Sequence, residues 1–210
     1  MTLVWLLLGF ALAFIGVGIV WRYASRRWQL PCPTWFAWSL EGGLADKVAG
    51  TQTTLERIAF KPGGRVLEIG PGPGRLLVHA AKRVLPGGEV VGLDIQPGML
   101  ERLEARANAE GVKNLTTKLG DAAVEHFPAA SFDLVYMCTV LGEIPDRRAA
   151  IAQCFRVLKP GGRLSITEIF PDPHYQSRAT VTRLATEVGF RDGVVLGSWR
   201  FFTANFVKPA

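Results

Sequence analysis

The chain has 210 residues, enough for one domain of ordinary size with an appendage and too few for two full domains. Its formal net charge is +6, but Lys and Arg form no run interleaved with aromatics, which argues against a nucleic-acid-binding surface. Three cysteines, Cys32, Cys138 and Cys154, are too few and too widely spaced for a disulfide framework or a metal site, and they suit a reducing compartment.

Residues 3–20 carry no charge and approach the roughly 20 residues a helix needs to cross a bilayer core. Behind them stand Trp21, Arg22, Tyr23, Arg26, Arg27 and Trp28, an aromatic and basic collar of the kind found at headgroup level. The bias of positive charge to the C-terminal side predicts a single-pass membrane protein whose bulk lies on the cytosolic side. A cleavable signal peptide would need a charged start and a small-residue cleavage site, and neither is evident. The reading divides the chain into an anchor with its collar (1–30), an aromatic membrane-proximal linker containing Trp35, Phe36 and Trp38 (31–50), and a globular domain (51–210).

In the domain, the pattern predicts a helix over 51–60 with a capped start, stopped by Lys-Pro-Gly-Gly. Residues 65–70, Arg-Val-Leu-Glu-Ile-Gly, then form a β-branched run suited to a buried parallel strand. The glycines that follow give E-x-G-x-G-x-G at Glu68, Gly70, Gly72 and Gly74, and a helical pattern covers 75–85. Glycine between a strand and a helix lets backbone approach a ligand closely. A second apolar strand over 88–95 ends in Asp94, about twenty residues on, where a carboxylate accepts hydrogen bonds from ribose hydroxyls. Together these features point to a nucleoside-containing ligand.

Leu115 to Ala122, Ser131 to Val140 and Arg156 to Ile166 complete an ordered set of five segments. In that order the chain resembles the class I S-adenosylmethionine-dependent methyltransferases, particularly those of ubiquinone and menaquinone biosynthesis, over about residues 50 to 205. The resemblance implies an α/β fold, a Rossmann-like seven-stranded, mostly parallel sheet with an antiparallel last strand, and S-adenosyl-L-methionine as cofactor. It implies Glu68 near the methionine amino group, Gly70, Gly72 and Gly74 under the cofactor, and Asp94 on the ribose diol. Ile95 and Met99 would flank the adenine, Asp121 and Ala122 would bind its edge, and Cys138 would lie beside the methionine portion. Asp133, at the start of its strand, reads as structural.

Open α/β sheets place ligands at the carboxyl ends of their strands, so the acceptor side is expected after the fourth and fifth strands, at Glu143, Glu168, His174 and Tyr175. Of these, Glu143 and His174 are the candidate catalytic residues, since either can take a proton from the acceptor. Structural readings stand beside both: a helix-start histidine, and a carboxylate that fixes a loop. A helix over 176–189 and a hairpin at 194–199 and 201–207 end the chain, leaving no large insertion to act as a lid. The expected acceptor is apolar or amphipathic and membrane-associated. The alternatives are a soluble thiol, amine or carboxylate acceptor, or a tethered cofactor-binding protein without turnover; no metal is expected, and the oligomeric state is not legible.

Overall fold

The computed structural model describes residues 50–210 apart from the Asp192 side chain, residues 31–34, and Trp5, Gly9, Gly16, Val17, Ile19, Val20, Tyr23, Ala24, Ser25, Arg27 and Trp28. Most of the expected span at 3–20, and the linker aromatics Trp35, Phe36 and Trp38, lie outside the described residues. Among the described residues, no helix is long and apolar enough to cross a membrane.

The elements in chain order are α1 (Thr51–Ile58), β1 (Arg65–Ile69), α2 (Leu77–Arg83), β2 (Glu89–Asp94), α3 (Pro97–Ala109), β3 (Leu115–Leu119) and β4 (Phe132–Cys138). They are followed by α4 (Arg147–Val157), β5 (Leu158–Ile169), α5 (Arg178–Val188), β6 (Arg191–Gly197) and β7 (Phe201–Val207). The seven strands form one sheet in the order β3-β2-β1-β4-β5-β7-β6. All neighbours from β3 to β5 pair parallel, and β7 runs antiparallel between β5 and β6. The expected sheet, with its antiparallel last strand, is therefore present.

Strand parity builds the two cores. On β1 and β4, Leu67, Ile69, Val135 and Met137 face the layer that includes α4 and α5, while Val66, Leu134, Tyr136 and Cys138 face α1, α2 and α3. Parallel strands covered on both faces read as continuous apolar runs, which is why β1, β2 and β4 were legible. Glu68 shares parity with Val66 and so projects into the second layer as a buried carboxyl.

Three boundaries differ from expectation. α1 has no side-chain cap: its N-cap is Gly50 in the left-handed region, and a Cβ there would stand 2.6 Å from Phe201, so close packing on β7 and not capping chemistry sets the helix start. α2 begins at Leu77, because Gly72 and Gly74 hold the preceding turn in left-handed backbone. β6 begins at Arg191, three residues before the apolar run, and a register shift between Arg191 and Val194 absorbs the polar start. Asp133 is structural, as expected: its carboxylate accepts from the Arg65 backbone N–H at 2.9 Å and from Lys159 Nζ at 2.8 Å, joining β1, β4 and β5. Partial burial opposes its ionisation, but these partners outweigh it and hold the carboxyl below its ordinary value.

Candidate active site

At the carboxyl ends of β1, β2 and β4 the sheet opens into a cavity of about 260 Å³. Adjacent parallel strands β1 and β2 lead into helices on the same side, β1 and β4 into connections that diverge, so the crevice falls where the strand order reverses.

The glycine turn forms one wall. Gly70 has φ 64°, its N–H donates to the Leu93 carbonyl at 2.8 Å, and a Cβ would stand 2.6 Å from Val140. Gly72 has φ 52° and a Cβ there would meet nothing within 4 Å, so its bare face is open to the cavity. Gly74 differs from expectation: it does not line the cavity, and a Cβ there would overlap Leu103 of α3, so this glycine serves helix packing.

Asp94 closes β2 and is 7% exposed. Its Oδ2 accepts from the Gly72 N–H at 3.2 Å and its Oδ1 from the Gln96 N–H at 2.9 Å. Burial raises its pKa, and the backbone donors of Gln96, Gly72 and Ile95 work against that rise. Asp94 lines the space together with Ile95, Met99, Asp121 and Ala122, and its two oxygens have more acceptor sites than these donors fill. Met99 is 2% exposed and Ile95 is 60% exposed, so one apolar side chain is fixed in the core and the other borders open space.

A polar network forms the floor. The Tyr136 hydroxyl donates to Glu68 Oε2 at 2.6 Å within the core. Arg75 reaches Thr51 Oγ1 at 2.8 Å and Cys138 Sγ at 3.4 Å and lies close enough to Glu68 to lower its pKa. Burial wins over both Tyr136 and Arg75 and pushes Glu68 up to about 8, and burial likewise pushes the Cys138 thiol up to about 11. Thr139, the next residue, has φ 56° in the left-handed region and lines the cavity; a threonine there carries backbone strain of the sort that collects at functional sites.

Of the expected cofactor residues, the structure brings together Glu68, Gly70, Gly72, Asp94, Ile95, Met99, Asp121, Ala122 and Cys138 around this one space, with Gly74 behind it. The acceptor-side expectations divide. Glu143 lines the cavity, and burial followed by the charges of Asp172 and Asp94 pushes it up to about 8. His174 does not line it: the side chain is 6% exposed, and the segment carrying it packs on Gly142, where any Cβ would overlap the His174 carbonyl. Proximity to the end of β5 suggested the site, but that packing turns His174 into the fold. Glu168 and Tyr175 also stand outside the lining. Glu168 is 1% exposed, its Oε2 accepts from the Gln176 N–H at 3.0 Å, its Oε1 has no partner among the described residues, and burial pushes it up to about 8.

Arg75, Gln96, Pro31 and Cys32 are among the lining residues that were not anticipated. Arg75 directly follows the glycine turn and Gln96 follows Asp94-Ile95, so adjacency to the motifs was an available signal. Pro31 and Cys32 carried none, because only tertiary folding brings them to the cavity.

The comparisons bear on this geometry. A family model described as a methyltransferase domain matches residues 66–162. That stretch, just under half of the chain, is similar to methyltransferase domains. It is 40% identical to nocamycin O-methyltransferase of Saccharothrix syringae over 119 residues, 57% of this chain and 42% of that one. It is 38% identical to demethylmenaquinone methyltransferase of Symbiobacterium thermophilum over 110 residues, 52% of this chain and 44% of that one. The matches thus span under half the length of these curated relatives. A solved structure of an S-adenosylmethionine-dependent methyltransferase from Aquifex aeolicus superposes with TM-score 0.78 at 21% identity, covering 85% of this chain and all of that one, which shows a shared fold.

Proposed function

We propose that the domain binds S-adenosylmethionine in this cavity and transfers its methyl group to an apolar or amphipathic acceptor held in a membrane. The observation that carries the cofactor assignment is the convergence of a bare glycine wall, a buried acid at the end of β2 and an acid–guanidinium floor on one cavity. The donor set fits the group. Asp94 offers acceptors for a ribose diol, and Ile95, Met99 and Ala122 offer apolar surface for a purine. Glu68 offers an acceptor for an ammonium, and Arg75 a donor for an amino-acid carboxylate.

The sulfonium supplies a methyl already activated by positive charge, so the protein's task is to hold the acceptor atom at the right distance and angle. Glu143, at the cavity wall on the β4 side, stands where it can take a proton from an acceptor hydroxyl or ammonium. Its raised pKa places it close to neutrality, where a proton acceptor is most effective.

The membrane part of the reading rests on sequence. The uncharged run at 3–20 and the collar at Trp21, Arg22, Arg26, Arg27 and Trp28 favour a bilayer neighbour. Ten residues lie between Val20 and Pro31 at the cavity, so covalent geometry alone limits their separation to about 40 Å. The relative named for demethylmenaquinone supports a quinone-type acceptor.

The test is methyl transfer from labelled S-adenosylmethionine by detergent-solubilised full-length protein, with a membrane lipid extract and a soluble metabolite extract offered separately. Label in the lipid fraction is the expected result. Label confined to soluble products would overturn the membrane-acceptor part and leave the cofactor part standing.

A further inference from the structure

Residues 31–34 lie against the cavity mouth, far in sequence from every element that builds it. The Gln96 side chain holds this segment with both of its polar atoms: Nε2 donates to the Cys32 carbonyl at 3.1 Å, and Oε1 accepts from Thr34 Oγ1 at 3.1 Å. On the opposite side, Cys32 faces Glu143 across the same cavity, near enough for its backbone to lower the Glu143 pKa. The segment therefore bridges the loop after β2 and the loop after β4, crossing the crevice between them, and Pro31 and Cys32 form part of the lining.

Two details indicate that this docking is specific. Gln96 is the N-cap residue of α3, yet its side chain makes no capping bond to its own helix and is spent wholly on the segment. Gly98, in the first turn of α3, is where Thr34 seats: a Cβ there would stand 2.9 Å from Thr34 Cγ2. The backbone of Gly98 is ordinary helix, so what favours glycine at this point is the room it leaves for the segment.

We propose that Pro31–Thr34 is a strap that closes over the bound cofactor, that Gln96 is its latch, and that cofactor exchange requires its release. The idea rests on the cofactor assignment above but goes beyond it, because it makes Gln96 a positioning residue. The chain has no large insertion to act as a lid, and a four-residue strap held by Gln96 takes that place. Since the strap directly follows the collar in sequence, any constraint on residues 1–30 acts on cofactor exchange first.

The test uses full-length protein in detergent and two independent readouts. The first is the rate at which N-ethylmaleimide alkylates Cys32 in ligand-free protein, followed by peptide mass so that the buried Cys138 and Cys154 are read separately. The second is the dissociation rate of S-adenosylhomocysteine by rapid displacement. Gln96→Ala removes both hydrogen bonds to the segment and should raise both rates about tenfold or more. Gln96→Glu keeps the acceptor for Thr34 and loses the donor to Cys32, so it should fall between wild type and Gln96→Ala. Gly98→Val removes no hydrogen bond and displaces Thr34 by bulk, and should raise both rates even if Gln96→Ala folds poorly.

Rates within twofold of wild type in all three variants would overturn the strap. Faster Cys32 alkylation with an unchanged dissociation rate would overturn its role in exchange. Failure of wild-type protein to bind S-adenosylhomocysteine at all would overturn the cofactor assignment and the gate with it, while alkylation still reports whether the strap's contacts exist.

Discussion

Asp94 is where the residue-scale argument is most exposed to test. A buried carboxylate held by backbone donors on both oxygens is fixed in orientation, and its remaining acceptor sites are the ones a ribose diol would use. Hydrogen bonds to a charged group are worth about 1.5–3 kcal/mol. Asp94→Ala should therefore weaken S-adenosylhomocysteine binding by about 10- to 100-fold in calorimetric titration. Binding within twofold of wild type would remove Asp94 from the site. Gly142 tests the opposite assignment. Any Cβ there overlaps the His174 carbonyl, a backbone atom that cannot swing aside, so Gly142→Ala should lower stability by about 1–3 kcal/mol in denaturant unfolding. His174→Gln, by contrast, should leave the pH dependence of turnover unshifted, because His174 is outside the cavity lining. A profile that moves with His174 would restore it as a proton acceptor.

At the scale of elements, the legible parts were those where local sequence and tertiary role agree. β1, β2 and β4 are buried on both faces and read as apolar runs, and the turn after β1 announces itself because left-handed backbone at Gly70 and Gly72 demands glycine. β3 is an edge strand with an exposed, mixed pattern, so its place came from resemblance and not from periodicity. The start of β6 was hidden by Arg191-Asp192-Gly193, a polar opening that pairs only because β7 offers a partner. Gln96 and Arg75 went unremarked because their work lies with groups 62 and 63 positions away in the chain, Thr34 for one and Cys138 for the other. β5 carries the clearest electrostatic consequence. Glu168 lies near its end with a carboxyl that burial pushes up to about 8 from an ordinary 4.5, so the native state holds that proton more tightly than the unfolded chain. Its contribution to stability is full below about pH 4.5 and is lost as pH rises towards about 8, by at most about 1.4 kcal/mol per pH unit. The melting temperature of the ligand-free protein should accordingly fall between pH 5 and pH 8, and Glu168→Gln, whose amide oxygen can still accept from Gln176, should flatten the fall. An equal slope in wild type and variant would show that Glu168 does not carry it.

For the whole molecule, the question is what an apolar run of eighteen uncharged residues does beside a domain whose cavity opens at the carboxyl ends of its central strands. Eighteen such residues rise about 27 Å as a helix, close to the roughly 30 Å of a hydrocarbon core, and local thinning absorbs the difference at modest cost. A helix of that kind does not leave a bilayer when ionic contacts are broken, whereas a domain held only by Arg22, Arg26 and Arg27 against anionic lipid does. Alkaline carbonate washing separates the two cases: the spanning reading predicts that full-length protein stays in the membrane pellet. The positive collar further predicts that the domain faces the cytosolic side, so protease should reach it in inverted vesicles and not in intact spheroplasts. Release by carbonate would reduce residues 1–30 to a peripheral contact. The chain would then dock transiently, and the acceptor would have to come to the cavity from solution or from the outer edge of the headgroup layer. Retention, with protease reaching the domain only in inverted vesicles, would put the strap at Pro31–Thr34 within about 40 Å of the bilayer surface. An acceptor could then move from lipid to the cavity without crossing more than a few nanometres of water.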